Sequence, residues 1–134
     1  MKIVTLFYPT DIKSKNGNIY PKDIVQKAIN KYMKEKIAYC SGLGGLVKDT
    51  FDDNETVNFT SISHQVKDVK EVPDGFDITF KTLDTPSGKL LNELIDKTKC
   101  RPFIRGKGIV EGNIVKELEI ISIDIGPEKY KRNL

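Results

Sequence analysis

Any histidine-dependent chemistry in this chain must pass through His64, because the sequence holds no other histidine. Its neighbour is Ser63, and a serine beside a histidine suggests hydrolase chemistry. In that chemistry the hydroxyl attacks, the imidazole takes its proton, and a third group orients the ring. Residues 62–66 read as a strand, where adjacent side chains point to opposite faces. On that reading Ser63 does not serve His64, and a nucleophile would have to come from Ser41, Ser61, Ser87 or Ser122. A packed or surface histidine is the simpler expectation.

The other candidate constellations are no more specific. Gly42-Leu43-Gly44-Gly45 has the look of a phosphate loop, but no helical period follows it. The Gly-Lys-Ser/Thr ending of a P-loop is also missing, so a flexible surface loop is expected there. Asp52-Asp53 and Glu117/Glu119 are acid pairs, the second expected on a solvated strand face. Arg105-Gly106-Lys107-Gly108 can cradle an anion, or equally form a tight hairpin turn. Two sequons, Asn54-Glu55-Thr56 and Asn58-Phe59-Thr60, carry no meaning without export.

Composition narrows the classes further. The chain has 134 residues, with 22 Lys+Arg against 19 Asp+Glu and a formal net charge of +3. That length suits one domain with a real core, and 38% hydrophobic with 31% charged residues describes a globular chain. One histidine and two distant cysteines, Cys40 and Cys100, exclude multi-histidine and four-thiolate metal sites. The cysteines fit buried reduced thiols, with a bridge between them left open by the sequence. The apolar run before Pro9 is too short for a signal peptide or a membrane span. A weak, mixed charge gives no case for nucleic acid, and Lys129 to Arg132 around Tyr130 reads as part of a basic tail over 128–134.

These residues need elements to position them. Ile3 to Tyr8 is β-branched and aromatic and stops at Pro9, as a strand does. Asn16-Gly17 supplies a turn within 14–18. Pro21 opens a helix running to about Glu35, with Ile24, Val25, Ala28, Ile29, Tyr32 and Met33 forming one stripe. A second helix is expected from Pro86 or Ser87 to Lys97, capped by Thr85, with Leu90, Leu91, Leu94 and Ile95 on one face. Val57 to Val72 carries extended runs. Phe76, Ile78 and Phe80 alternate with polar residues, giving a strand with one wet face. Ile114 to Ile125 alternates at first and then becomes apolar on both phases, as a strand entering the interior does. Two helices between strand groups indicate a single α+β domain over 1–134, mainly an antiparallel sheet or barrel.

In order and spacing, several motifs resemble the head-maturation (prohead) serine proteases of myovirus-type tailed phages. Lys15-Asn16-Gly17-Asn18-Ile19-Tyr20-Pro21 is similar to that family's Asn-Gly-Arg-x-Tyr-Pro opening, with Asn18 in place of the arginine. Ile62-Ser63-His64-Gln65-Val66 resembles a Ser-His strand segment of some members. Asp84-Thr85-Pro86-Ser87-Gly88-Lys89-Leu90 resembles the start of the family's second helix. Arg105-Gly106-Lys107-Gly108 falls where the family has Ser-Ser-Arg-Gly-x-Gly, and Ile123-Asp124-Ile125-Gly126-Pro127 resembles its final strand.

The resemblance implies a β-barrel with two principal helices, of the kind also found in the herpesvirus assembly protease. It also implies that the catalytic positions have degenerated. The family's nucleophile position is occupied here by Phe103 and Ile104, and its histidine position by Lys48. Neither Phe nor Ile can attack a carbonyl, and a lysine is protonated near neutral pH unless desolvated. The expected protein is therefore a protease-fold, non-proteolytic head structural, decoration or assembly component. The alternative is an active serine endopeptidase with a relocated site using His64. The implied partners are phage head or other virion proteins, or a second copy of this chain, with no cofactor, metal, membrane or specific nucleic acid. The implied location is the host cytoplasm during assembly, or the virion.

Overall fold

A computed structural model describes residues 1–14, 17–37, 42–46 and 62–128. Six strands, two helices and a π-helical segment follow one another as β1 (Ile3–Pro9), α1 (Lys22–Tyr32) with its π extension (Met33–Ile37), β2 (Leu43–Gly45), β3 (Ile62–Val72), β4 (Gly75–Thr82), α2 (Pro86–Lys97), β5 (Cys100–Glu111) and β6 (Ile114–Pro127). The α+β class and the antiparallel pairing expected from the sequence are present. Among the described residues the strands form two sheets rather than one closed barrel: a four-stranded sheet ordered β1-β4-β3-β2 and the hairpin β5-β6. A single parallel bridge, Leu46 to Ile125, links them where β2 meets β6.

The core lies between the sheets and the helices. Val25, Ala28, Ile29 and Tyr32 of α1 are buried, while Ile24 and Met33 flank them. Phe76, Ile78 and Phe80 of β4 are almost fully enclosed and meet Val66, Ile123 and Ile125 in one cluster. Pro21 precedes α1 in extended conformation rather than sitting in its first turn. The first helical amide is bonded instead from outside, Lys22 N donating to Asp11 Oδ1 at 3.0 Å.

α2 starts and ends as expected, with the Thr85 hydroxyl accepting from Gly88 N at 2.9 Å. Its apolar face is narrower than the sequence suggests. Leu91 is fully buried and Leu94 and Ile95 are half-buried, but Leu90 is 49% exposed. Leu90 lies one position from Leu91, a rotation of about 100° that turns it off the face packed on the sheet.

The basic glycine-rich segment Arg105–Gly108 is not a hairpin turn. It lies inside β5, and the chain reverses at Gly112-Asn113, where Gly112 adopts φ of +65°. Two β-bulges interrupt the hairpin, leaving Lys116 and Ile121 without direct partners on β5. Each inserts one residue and resets the in–out phase. Beyond the second bulge Ser122, Ile123, Asp124 and Ile125 pair in unbroken register and are all buried in succession, because this part of β6 is covered on both faces.

Candidate functional site

His64 is completely buried on β3, and the local backbone explains how. β2 pairs Gly44 with His64 and Gly45 with Ile62, so Ser63 is the extra residue of a bulge. The alternation that would send Ser63 and His64 to opposite faces fails at that point, and both are fully enclosed. The expectation that Ser63 cannot reach His64 is therefore corrected: Ser63 Oγ lies 2.7 Å from His64 Nδ1.

The partners fix the tautomer. His64 Nε2 lies 2.7 Å from the carbonyl oxygen of Ile123, which can only accept, so Nε2 carries the proton. Burial pushes the imidazole below its ordinary value, outweighing the Ile123 carbonyl and the Asp124 charge, which both favour protonation. The ring is therefore neutral, and Ser63 donates to Nδ1. The pattern is that of a serine facing a base whose far nitrogen is oriented by an acceptor. What it lacks is a route for a substrate carbonyl, since neither residue meets solvent.

The surroundings close the site from each side. Gly44, expected in a flexible loop, forms the middle of β2. A Cβ there would stand 2.4 Å from the Ile123 carbonyl oxygen and 2.6 Å from His64 Nε2. The glycine is required because the imidazole and β6 backbone occupy the space a side chain would need. α2 docks on the bulge from the other side. Thr85 Oγ1 donates to the Ile62 carbonyl at 2.6 Å, and Leu83 N donates to that of Ser63 at 2.9 Å. A Cβ on Gly88 would fall 1.9 Å from the Leu83 carbonyl oxygen in the connection before the helix and 3.0 Å from that of Ser63 on the bulge, so the first turn of α2 leaves no room for a side chain there. The Asp84–Lys89 motif thus holds the bulge in place, while exposed Lys89 and Asp84 pair weakly at 3.6 Å.

A second buried polar group adjoins the first. Arg105 Nε donates to Ser122 Oγ at 2.9 Å and lies 3.3 Å from Asp124 Oδ2. Ser122 Oγ donates to Asp124 Oδ1 at 2.9 Å, and Gly45 N donates to the same oxygen at 3.0 Å. Both charged side chains are at least nine-tenths enclosed. Arg105 is turned inward to this carboxylate, so its guanidinium is committed within the fold. Burial, with Asp124 nearby, also raises the Tyr32 phenol far above its ordinary value. The sequence reading missed this network. Its signal was a serine and an aspartate inside the isoleucine run 120–125, polar types that persist in a core when they satisfy one another.

Of the remaining sequence candidates, Phe103 and Ile104 are both buried, Ile104 within the main apolar cluster. Arg101 stacks over the Phe103 ring at 3.9 Å. Gly106 abuts the Glu119 backbone at one bulge, and exposed Gly108 lies opposite Leu118. Ser87 lies in the first turn of α2, and Glu117 and Glu119 are exposed. Gly17 has φ of +89° in its turn, and Tyr20 is buried edge-on against Tyr8. Cys100 is a buried free thiol whose pKa burial raises. Asn16, Cys40, Ser41, Lys48, Asp52, Asp53, Ser61, both sequons and the tail from 129 lie outside the described residues. Among those described, no His, Cys, Asp and Glu cluster has metal-binding geometry, and no helix is long and apolar enough to cross a membrane.

The fold has a counterpart among solved structures. The chain superposes on the capsid assembly protease gp21 of bacteriophage T4 with a TM-score of 0.78 and 20% sequence identity, covering 93% of this chain and 81% of that one. No protein-family model matches the sequence, and no curated protein sequence matches it significantly. The likeness establishes a prohead-protease-like fold.

Proposed function

We propose that this chain uses a phage prohead-protease fold without cutting, as a structural, decoration or assembly component that binds phage head proteins. The observation that carries the reading is the state of β5. Phe103 and Ile104 occupy the positions where the resemblance expects the nucleophile, and both are packed into the interior. No hydroxyl is present there to attack. The neighbouring fold belongs to a capsid assembly protease, which supports head proteins as partners and the host cell during assembly as the place of action. Membership in the mature virion and self-association belong to the same proposal.

One observation favours a second reading. The Ser63–His64 contact has the hydrogen-bond order of an activated serine, so a displacement of β2 or α2 would expose a nucleophile and base. A fluorophosphonate probe applied to the purified chain decides between the two. The non-proteolytic reading expects no labelling and no cleavage of head proteins. Labelling mapped to Ser63 and abolished by His64→Ala would overturn it.

A further inference from the structure

A groove of about 530 Å³ runs between α1 and the distal part of the β5–β6 hairpin, away from the buried histidine. The helix contributes Ile24, Lys27, Ala28 and Lys31, which at spacings of three and four form one stripe. The floor is apolar, made by Ala28 and by half-buried Ile24 and Leu118, and Ile109 stands 50% exposed on the hairpin side. Four lysines line the groove against two carboxylates. Lys27 and Lys31 come from the helix, and Lys107 and Lys116 from the hairpin. Glu119 lies 3.8 Å from Lys31 and is registered opposite Lys107, so its charge is already shared. Among the described residues no carboxylate lies within ion-pair distance of Lys27 or Lys116.

From this geometry we infer that the groove binds an acidic segment of a partner protein that also carries aliphatic side chains. The lysines flanking the groove would meet the carboxylates, and the floor would take Leu or Ile. A cleft of this size matches those that hold specific ligands, roughly 300–1,000 Å³. Nucleic acid fits poorly. No aromatic ring lines the groove to stack a base, and its apolar floor would meet no phosphate or sugar group. The inference concerns a surface apart from His64 and holds whether or not the chain cleaves.

The test measures fluorescence anisotropy of three labelled peptides at low salt: alternating glutamate–leucine, glutamate–serine and lysine–leucine. A short single-stranded DNA is the fourth probe. Saturable binding of the glutamate–leucine peptide alone supports the groove as described. Reversing both unpaired lysines, Lys27→Glu with Lys116→Glu, should weaken that binding about tenfold, an effect shrinking as salt rises. Ile109→Ser should weaken it without changing the salt dependence. On the unmodified protein, amide shifts should move in residues 24–31 and 107–119, which keeps the test open if a variant fails to fold. Equal or tighter binding of DNA, binding indifferent to these substitutions, shifts confined elsewhere, or no binding of the peptide would each overturn the proposal.

Discussion

The neutral, enclosed state of His64 makes acid the sharpest perturbation of this fold. A histidine whose folded pKa is depressed takes up its proton in the unfolded chain first. Stability is then fully present above the unfolded value near 6.5 and falls as pH drops below it. The loss between pH 7.5 and pH 5.5 is at most about 1.4 kcal/mol, the limit for a ring that takes up no proton in the folded state, from 1.36 kcal/mol per pKa unit. That is a large share of the ~5–15 kcal/mol that typical domains possess. Urea denaturation across this pH range should show the loss, and His64→Gln should flatten it. Because the chain has one histidine, its imidazole proton resonances are uniquely assignable, and their titration should be displaced below the ordinary imidazole range. Titration near 6.5 with a pH-independent midpoint would refute the buried-ring argument and restore His64 as an accessible base.

Other perturbations follow from the same contacts. Gly44→Ala should destabilise by about 2–5 kcal/mol in denaturant titrations, because the new methyl displaces the imidazole or the Ile123 carbonyl. Asp124→Ala leaves the buried Arg105 without its counter-charge and should cost about 3–5 kcal/mol, measured the same way. Ile29→Ala should cost about 2–5 kcal/mol, whereas Leu90→Ala on the exposed side of α2 should fall within about 0.5 kcal/mol. Thr85→Ala removes both the helix cap and the bond to the Ile62 carbonyl, lowering stability by about 1–2 kcal/mol. A thermal melt unchanged by Thr85→Ala would disprove the role assigned to that helix start.

How much of this was legible in the sequence depends on where the chain keeps its periodicity. Both helices and the alternating strand β4 follow simple patterns, and Thr85-Pro86 marked its helix boundary correctly. The site did not follow such a pattern, because each of its turning points is a bulge. Ser63 and Ile121 each add one residue against a partner strand, and a bulge has no compositional signature of its own. Period-two reasoning therefore separated Ser63 from His64 when the fold joins them. At Gly44 the sequence context reports flexibility, while the true constraint is the Ile123 carbonyl and the imidazole of a residue twenty positions away. Arg105 and Asp124 belong to separate motifs in the sequence, and only the register of the hairpin makes them a pair.

The pairing of β1 has a consequence for how the chain is made. Its side chains meet partners far downstream, Thr5 and Thr79 joining hydroxyls across 74 positions, and Lys2 N reaches the Thr82 hydroxyl at 2.7 Å. During synthesis the first strand leaves the ribosome long before its partner exists. Ile3 and Phe7, still 74% and 45% exposed in the finished fold, are then wholly uncovered on an unpaired edge. β1 thus waits for closure by β4, a non-local step during which its unpaired edge is open to capture by chaperones or by other copies of the chain.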